Sequence, residues 1–160
     1  MVHFRPGSQV WQLITLLSFV GEFPFKSLSL LGSERVYKAL ISRLTTLQTI
    51  RNFNSRDEIT CRLLTISGKG AGKTIRLYKG ALPILEWLHP GVQGYYMDAF
   101  WGHRFPGDAS HRDRNHRVAE AAAMFMKAGM EQGRIFSPDF RTGRFCGLCL
   151  VRPVFIWQRI

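Results

Sequence analysis

The 160-residue chain is long enough to bury a core in one domain with appendages, and its 46% apolar content excludes general disorder. Its net charge of +11 is spread along the chain, with 12 Lys and Arg against 5 Asp and Glu in residues 1–90 and 10 against 6 in residues 91–160. That balance points to a polyanionic partner, nucleic acid ahead of an anionic membrane surface.

In chain order, Pro6-Gly7 breaks a loose start and Ser8 is placed to cap a helix over roughly residues 9–21. Val10, Leu13, Leu17 and Val20, with Ile14 and Phe19 beside them, give that helix a core face. The segment is too short for a membrane span and has no basic leader or small-residue cleavage site, so it is read as core rather than signal. Pro24 suits the first turn of a short second helix, Pro24–Leu31, closed by Gly32. Ser33 is a good N-cap for a third helix over about residues 34–46, with Glu34 at its positive end. Val36, Leu40 and Leu44 predict its buried stripe, widened by Tyr37 and Ile41. Arg35, Lys38, Ser42 and Thr45 recur on the opposite arc, as on a solvated amphipathic helix or a recognition helix.

After Leu47–Phe53 and a polar turn at residues 54–57, two strand-like segments, Cys61–Ile66 and Thr74–Tyr78, flank a glycine-rich tip carrying Lys69 and Lys73. Gly72-Lys73-Thr74 imitates the end of a phosphate-binding loop. However, the first glycine of that pattern falls on Ser67, and an alternating run stands where the pattern needs a helix. The expected element is a basic hairpin that touches a nucleic-acid backbone, with a solvated hairpin and a nucleotide loop as alternatives.

An apolar helix comes after Lys79-Gly80. Residues 90–107 are rich in rings and glycine and do not read as a regular element; the rings Tyr95, Tyr96, Phe100, Trp101 and Phe105 either plug a core or stack on bases. Asn115 can cap a helix from about His116 to Ala128, with Val118, Ala121, Ala122 and Phe125 as its apolar stripe. Its small alanines also allow close packing in a homodimer. Cys61, Cys146 and Cys149 make no disulfide framework. The lone Cys146-Gly-Leu-Cys149 lacks further ligands, and His103, His111 and His116 stand among arginines, so no metal and no cofactor are expected. Asp108 and Asp113 do not make a hydrolytic cluster. The cysteine usage fits a reducing cytoplasm.

Three helices and then a β-ribbon is the layout of a winged helix, whose third helix enters the major groove. Thr74-Ile-Arg-Leu-Tyr-Lys-Gly-Ala-Leu-Pro-Ile-Leu85, together with His116-Arg-Val-Ala-Glu120, resembles the replication-relaxation proteins of plasmids and conjugative elements, over roughly residues 10–130. The resemblance implies a winged helix-turn-helix that binds double-stranded DNA in the replication or transfer of a mobile element, and it implies no catalytic residue. Residues 131–160 do not continue the pattern.

The expected organisation is therefore α+β: a winged-helix domain over residues 8–89, an aromatic and glycine-rich connection over 90–114, a helix over 115–130 and a divergent tail over 131–160. The expected DNA-binding residues are Arg35, Lys38, Ser42 and Thr45 in the groove, Lys69 and Lys73 on phosphates, and Arg43 and Arg51 beside them. The alternatives are a nucleotide hydrolase working through residues 67–74 and a basic protein-interaction module.

Overall fold

The computed structural model describes residues 1–101 and 109–128, which form an α+β fold. Strand β1 (Val2–Phe4) leads into helix α1 (Gln9–Val20). The Ser8 hydroxyl accepts from the Trp11 amide at 3.2 Å, as an N-cap should. This helix is buried nearly all round, from Val10 through Val20, and is the centre of the core. Its buried hydroxyls are satisfied within the helix: Thr15 donates to the Trp11 carbonyl and Ser18 to the Thr15 carbonyl, each at 2.8 Å. Gly21 ends it at φ +76. A Cβ there would also sit 2.6 Å from the Phe100 ring, so glycine is required for both conformation and space.

The chain then departs from the expected second helix. Residues Glu22–Pro24 form strand β2, and a kinked 3-10 segment, Phe25–Leu30, replaces the α-helix. Pro24 sits in extended backbone opposite Thr74, on an edge strand where its missing N–H costs no ladder bond. Tertiary pairing overrides the helix-start signal here. Phe23 is wholly buried, and the Phe25 amide donates to the Lys73 carbonyl at 2.9 Å.

Helix α2 (Glu34–Leu44) begins after Ser33, as expected, although the Ser33 side chain makes no capping bond. It stops two residues short of the expected end, where Thr45 and Thr46 turn their hydroxyls onto the Ser42 and Arg43 carbonyls at 2.7 and 2.8 Å. Strands β3 (Gln48–Asn52) and β4 (Glu58–Cys61) form a hairpin, and β1 pairs parallel to β3. The single strand expected over Cys61–Ile66 is thus two strands in two sheets. Leu63, fully buried, marks the crossing: its amide donates to the Leu44 carbonyl at 3.1 Å and its carbonyl accepts from the Tyr78 amide at 2.8 Å.

Strands β5 (Leu64–Ser67) and β6 (Thr74–Leu77) then pair antiparallel, with β2 on the far side of β6, in the order β2-β6-β5. Helix α3 (Leu82–Leu88), with Pro83 in its first turn, and helix α4 (Val92–Tyr96) come next. Residues Met97–Trp101 continue as a π-helical turn, so much of the ring-rich segment is regular after all. The rings there plug the core: Tyr95 and Tyr96 lie 6.1 and 5.4 Å from Phe100, and Phe19 of α1 lies 6.5 Å from Tyr95. Burial pushes the Tyr96 hydroxyl up to about 12, against an opposing pull from Arg76. Phe105 lies outside the described residues.

Helix α5 (Ala109–Lys127) starts well before Asn115. Its buried face is His116, Ala119, Ala122 and Ala123, while Val118, Ala121 and Phe125 are exposed, which corrects the expected stripe. The alanines face β2 and α1 because only small side chains admit so close an approach. In-chain packing therefore engages Ala119, Ala122 and Ala123, while Ala121 stays exposed.

Candidate nucleic-acid interface

The candidate surface is built on α2. Its buried side chains are Tyr37, Ile41 and Leu44, with Leu40 half-buried and Val36 exposed. The core-facing stripe is therefore rotated from the expected Val36–Leu40–Leu44. Tyr37 supplies the reason: its ring is buried, its hydroxyl donates to Gln12 Oε1 at 3.2 Å, and burial pushes that hydroxyl's pKa up.

The rotation redraws the outer face. At about 100° per residue, the helical positions opposite Tyr37, Ile41 and Leu44 are Arg35, Ala39 and Ser42; Thr46 lies beyond the end of the helix, with its hydroxyl committed to the Arg43 carbonyl. Arg35, Ala39 and Ser42 are exposed. Lys38 lies at one edge, exposed and held by Glu34 at 2.6 Å. Arg43 lies at the other edge, where its guanidinium donates to the Met1 carbonyl at 2.5 Å and to Gln48 at 3.4 Å. Thr45 is half-buried and its hydroxyl is committed to the Ser42 carbonyl, so it leaves the expected face. Of the expected groove residues, Arg35 and Ser42 are the two best placed. Spacing misses Ala39 because it sets the helical phase on Val36 rather than on the aromatic residue next to it.

Arg51 projects from β3 with Thr49, on the face opposite buried Ile50, and its guanidinium lies 3.5 Å from Glu58 across the hairpin. Its charge is thus partly spent within the protein. The β3–β4 turn holds Arg56 at φ +64, stiffened by a Ser55 hydroxyl donating to Asp57 at 2.5 Å.

The glycine-rich tip joins β5 to β6. A Cβ on Gly68 would lie 2.3 Å from the Gly72 carbonyl oxygen, and φ is +81 there, so the tight turn depends on glycine. The Ser67 and Thr74 hydroxyls close its base at 2.7 Å. Lys69 and Lys73 are both exposed. Lys73 Nζ stands 6.0 Å from the Phe25 ring, which ties the tip to the 3-10 segment preceding α2. Lys26, exposed on that same segment, carries no signal in the sequence pattern that would single it out. Thr74 opens strand β6, which is paired on both sides. The helix whose N-terminus would hold a nucleotide phosphate is not there, and the tip lacks that loop's geometry.

Behind this surface, Arg76 Nε and Nη2 donate to buried Glu22 Oε2 at 3.0 and 2.7 Å, bracing β6 against β2. Ser27 donates to Glu120 at 2.5 Å, bracing the 3-10 segment against α5. Among the described residues, the buried side-chain atoms without a hydrogen-bond partner are Glu22 Oε1 and His116 Nε2. No group of three His, Cys, Asp or Glu among the described residues could hold a metal ion. Cys61 is a buried free thiol with its pKa pushed up by burial, and Cys146 and Cys149 lie outside the described residues. No helix among the described residues is long and apolar enough to cross a membrane.

Comparison with protein-family models, with curated proteins and with solved structures found no match.

Proposed function

We propose that this protein binds double-stranded DNA in a sequence-dependent way, with residues 8–89 acting as a winged helix-turn-helix. The observation that carries the reading is the outer face of α2. It presents Arg35 and Ser42, is flanked by Lys38 and Arg43, and its single acid, Glu34, is already paired with Lys38. A helix so faced suits entry into a major groove. The fold supports the same reading. The order α1, β2, 3-10 segment, α2, β5, β6, with sheet order β2-β6-β5, fits a winged helix with the β3–β4 hairpin as an insertion before the wing. In this reading Lys69 and Lys73 on the wing hold phosphates. The resemblance of residues 74–85 and 116–120 to replication-relaxation proteins makes a regulator, or an accessory factor of replication or transfer, the corresponding role.

Duplex binding should weaken steeply with salt. Four to six phosphate contacts give a log–log slope of about −4 to −5. Replacing both Lys69 and Lys73 by Ala should lower affinity for all sequences alike and make the slope shallower by about 1 to 2. A flat salt response, or no binding at low salt, would overturn the reading. So would a magnesium–ATP-dependent rise in melting temperature that Lys73→Ala abolishes, which would restore the nucleotide loop.

A further inference from the structure

The kinked 3-10 segment Phe25–Leu30 and the glycine-rich tip between β5 and β6 are joined at their backbones, where the Phe25 amide donates to the Lys73 carbonyl at 2.9 Å. Side chains join them as well, since Lys73 Nζ stands 6.0 Å from the Phe25 ring centroid. Within the tip, the Gly72 amide donates to the Lys69 carbonyl at 3.1 Å, and this tight turn keeps Lys69 near Lys73. Lys26 comes directly after Phe25 and is exposed, as Lys69 and Lys73 are. Two segments fixed to each other thus carry three exposed lysines. Among the described residues, none of the three forms an ion pair.

The chain around them offers no counter-charge. Residues 23–33 hold Lys26, residues 59–85 hold Arg62, Lys69, Lys73, Arg76 and Lys79, and neither stretch contains Asp or Glu. The carboxylates that border the two stretches are already engaged. Glu22 is buried and binds Arg76, and Glu34 binds Lys38. Glu58 lies against Arg51, and Glu86 accepts from the Gly91 and Gln93 amides. Like charges without a partner in the protein repel one another and favour an anion from outside. A row of phosphates fits this set, because each lysine meets phosphate as a separate point charge. Packing adds what charge alone does not: Lys26 and Lys73 sit on backbones that touch, so they reach the same stretch of a polyanion.

We infer that Lys26 is a further phosphate-binding residue, and that it holds the same strand of duplex DNA as Lys73, at a neighbouring phosphate. The 3-10 segment and the tip then act as one clamp on the backbone beside the groove that α2 enters. The inference rests on the DNA-binding reading above and adds a contact and its strand.

The test begins with the duplex that the wild-type protein selects from a random pool. Each phosphate in it is replaced in turn by an uncharged methylphosphonate. Wild-type affinity should fall about threefold to tenfold at a few positions, the loss expected for one phosphate contact at about 0.1 M salt. Lys26→Ala should bind all sequences more weakly, with a salt slope shallower by about 1 and an unchanged melting temperature. It should erase the methylphosphonate penalty at one position, and Lys73→Ala should erase it at a neighbouring position of the same strand. Lys26→Arg, which keeps the charge, should behave as the wild type. Lys79→Ala controls for net charge, because Lys79 follows the end of β6 away from the tip, and it should leave slope and pattern unchanged. The inference is overturned if Lys26→Ala keeps the wild-type slope and every penalty, if Lys79→Ala matches it, or if the two erased positions lie on different strands. Steep salt dependence of the wild type would still stand in each case, and the DNA-binding reading with it. If no duplex is selected or bound at any salt, both fall.

Discussion

Helices α2 and α5 both look amphipathic in sequence, and both turn a different stripe inward from the one that spacing suggests. They do so for opposite reasons. Helix α2 buries large side chains, Tyr37, Ile41 and Leu44, against the core and keeps short and cationic ones outside. Helix α5 buries Ala119, Ala122 and Ala123 beside His116, and leaves Val118, Met124 and Phe125 exposed. The first is held by apolar area and the second by closeness of approach. Area gives α2 a firm seat. Closeness gives α5 fewer apolar atoms per turn, so its attachment leans on polar contacts such as Ser27 to Glu120.

The contrast is tested most sharply by truncation in α2. Ile41→Ala should cost about 2–5 kcal/mol, the usual range for a buried aliphatic side chain cut to alanine, measured by urea unfolding. Val36→Ala, one of the substitutions that sequence spacing would have ranked as severe, should stay within about 0.5 kcal/mol. Equal costs at the two positions would mean that the helix is rotated the other way.

Enlargement is the matching experiment on α5. Ala119→Leu or Ala123→Leu should cost about 1–3 kcal/mol by overpacking against β2 and α1, whereas Ala121→Leu should be nearly neutral. Hydrogen exchange should also release the α5 amides before those of α2. Slower exchange in α5 would show that closeness holds the helix better than area does.

Binding effects come next in size. Arg35→Ala should remove about 1–3 kcal/mol of discrimination at one base pair while leaving the melting temperature unchanged. Lys38→Ala should do less, because Glu34 already engages that ammonium group, and its effect on stability should be below about 0.5 kcal/mol. A larger loss of sequence preference at Lys38 than at Arg35 would shift the reading face toward that edge of the helix.

The smallest expected change is in His116→Leu. It removes a buried ring nitrogen without a hydrogen-bond partner and keeps an apolar side chain in its place. The melting temperature should hold or rise, since an unpartnered buried polar atom is a cost. A clear fall would show that this nitrogen contributes to seating α5.

Local chemistry was legible in the sequence wherever the cause lies within a few residues. Ser8 caps α1, Pro6-Gly7 precedes that helix, Glu34 stands in the first turn of α2, and the glycines of residues 68–72 make a tip between strands. The α+β class, the amphipathic α2 and the hairpin with its two lysines come from such signals. The exposed positions of Arg35, Ser42, Lys69 and Lys73 were legible for the same reason: long cations and small hydroxyls are costly to bury without partners.

Long-range packing settled the choices between near-equal local options. Pro24 can open a helix or end an edge strand, and pairing with Thr74 together with the burial of Phe23 chose the strand. The apolar run from Cys61 to Ile66 can be one strand or two, and the bonds of Leu63 to Leu44 and Tyr78 divided it between sheets. Val36 and Tyr37 can each lead a stripe down α2. The core took Tyr37 because the larger ring buries more apolar surface and its hydroxyl finds Gln12, and so it left Val36 outside. Spacing narrows such choices to neighbouring phases of a helix or strand. Which phase is adopted depends on the shape and hydrogen bonds of the surface it meets, and those belong to residues distant in sequence.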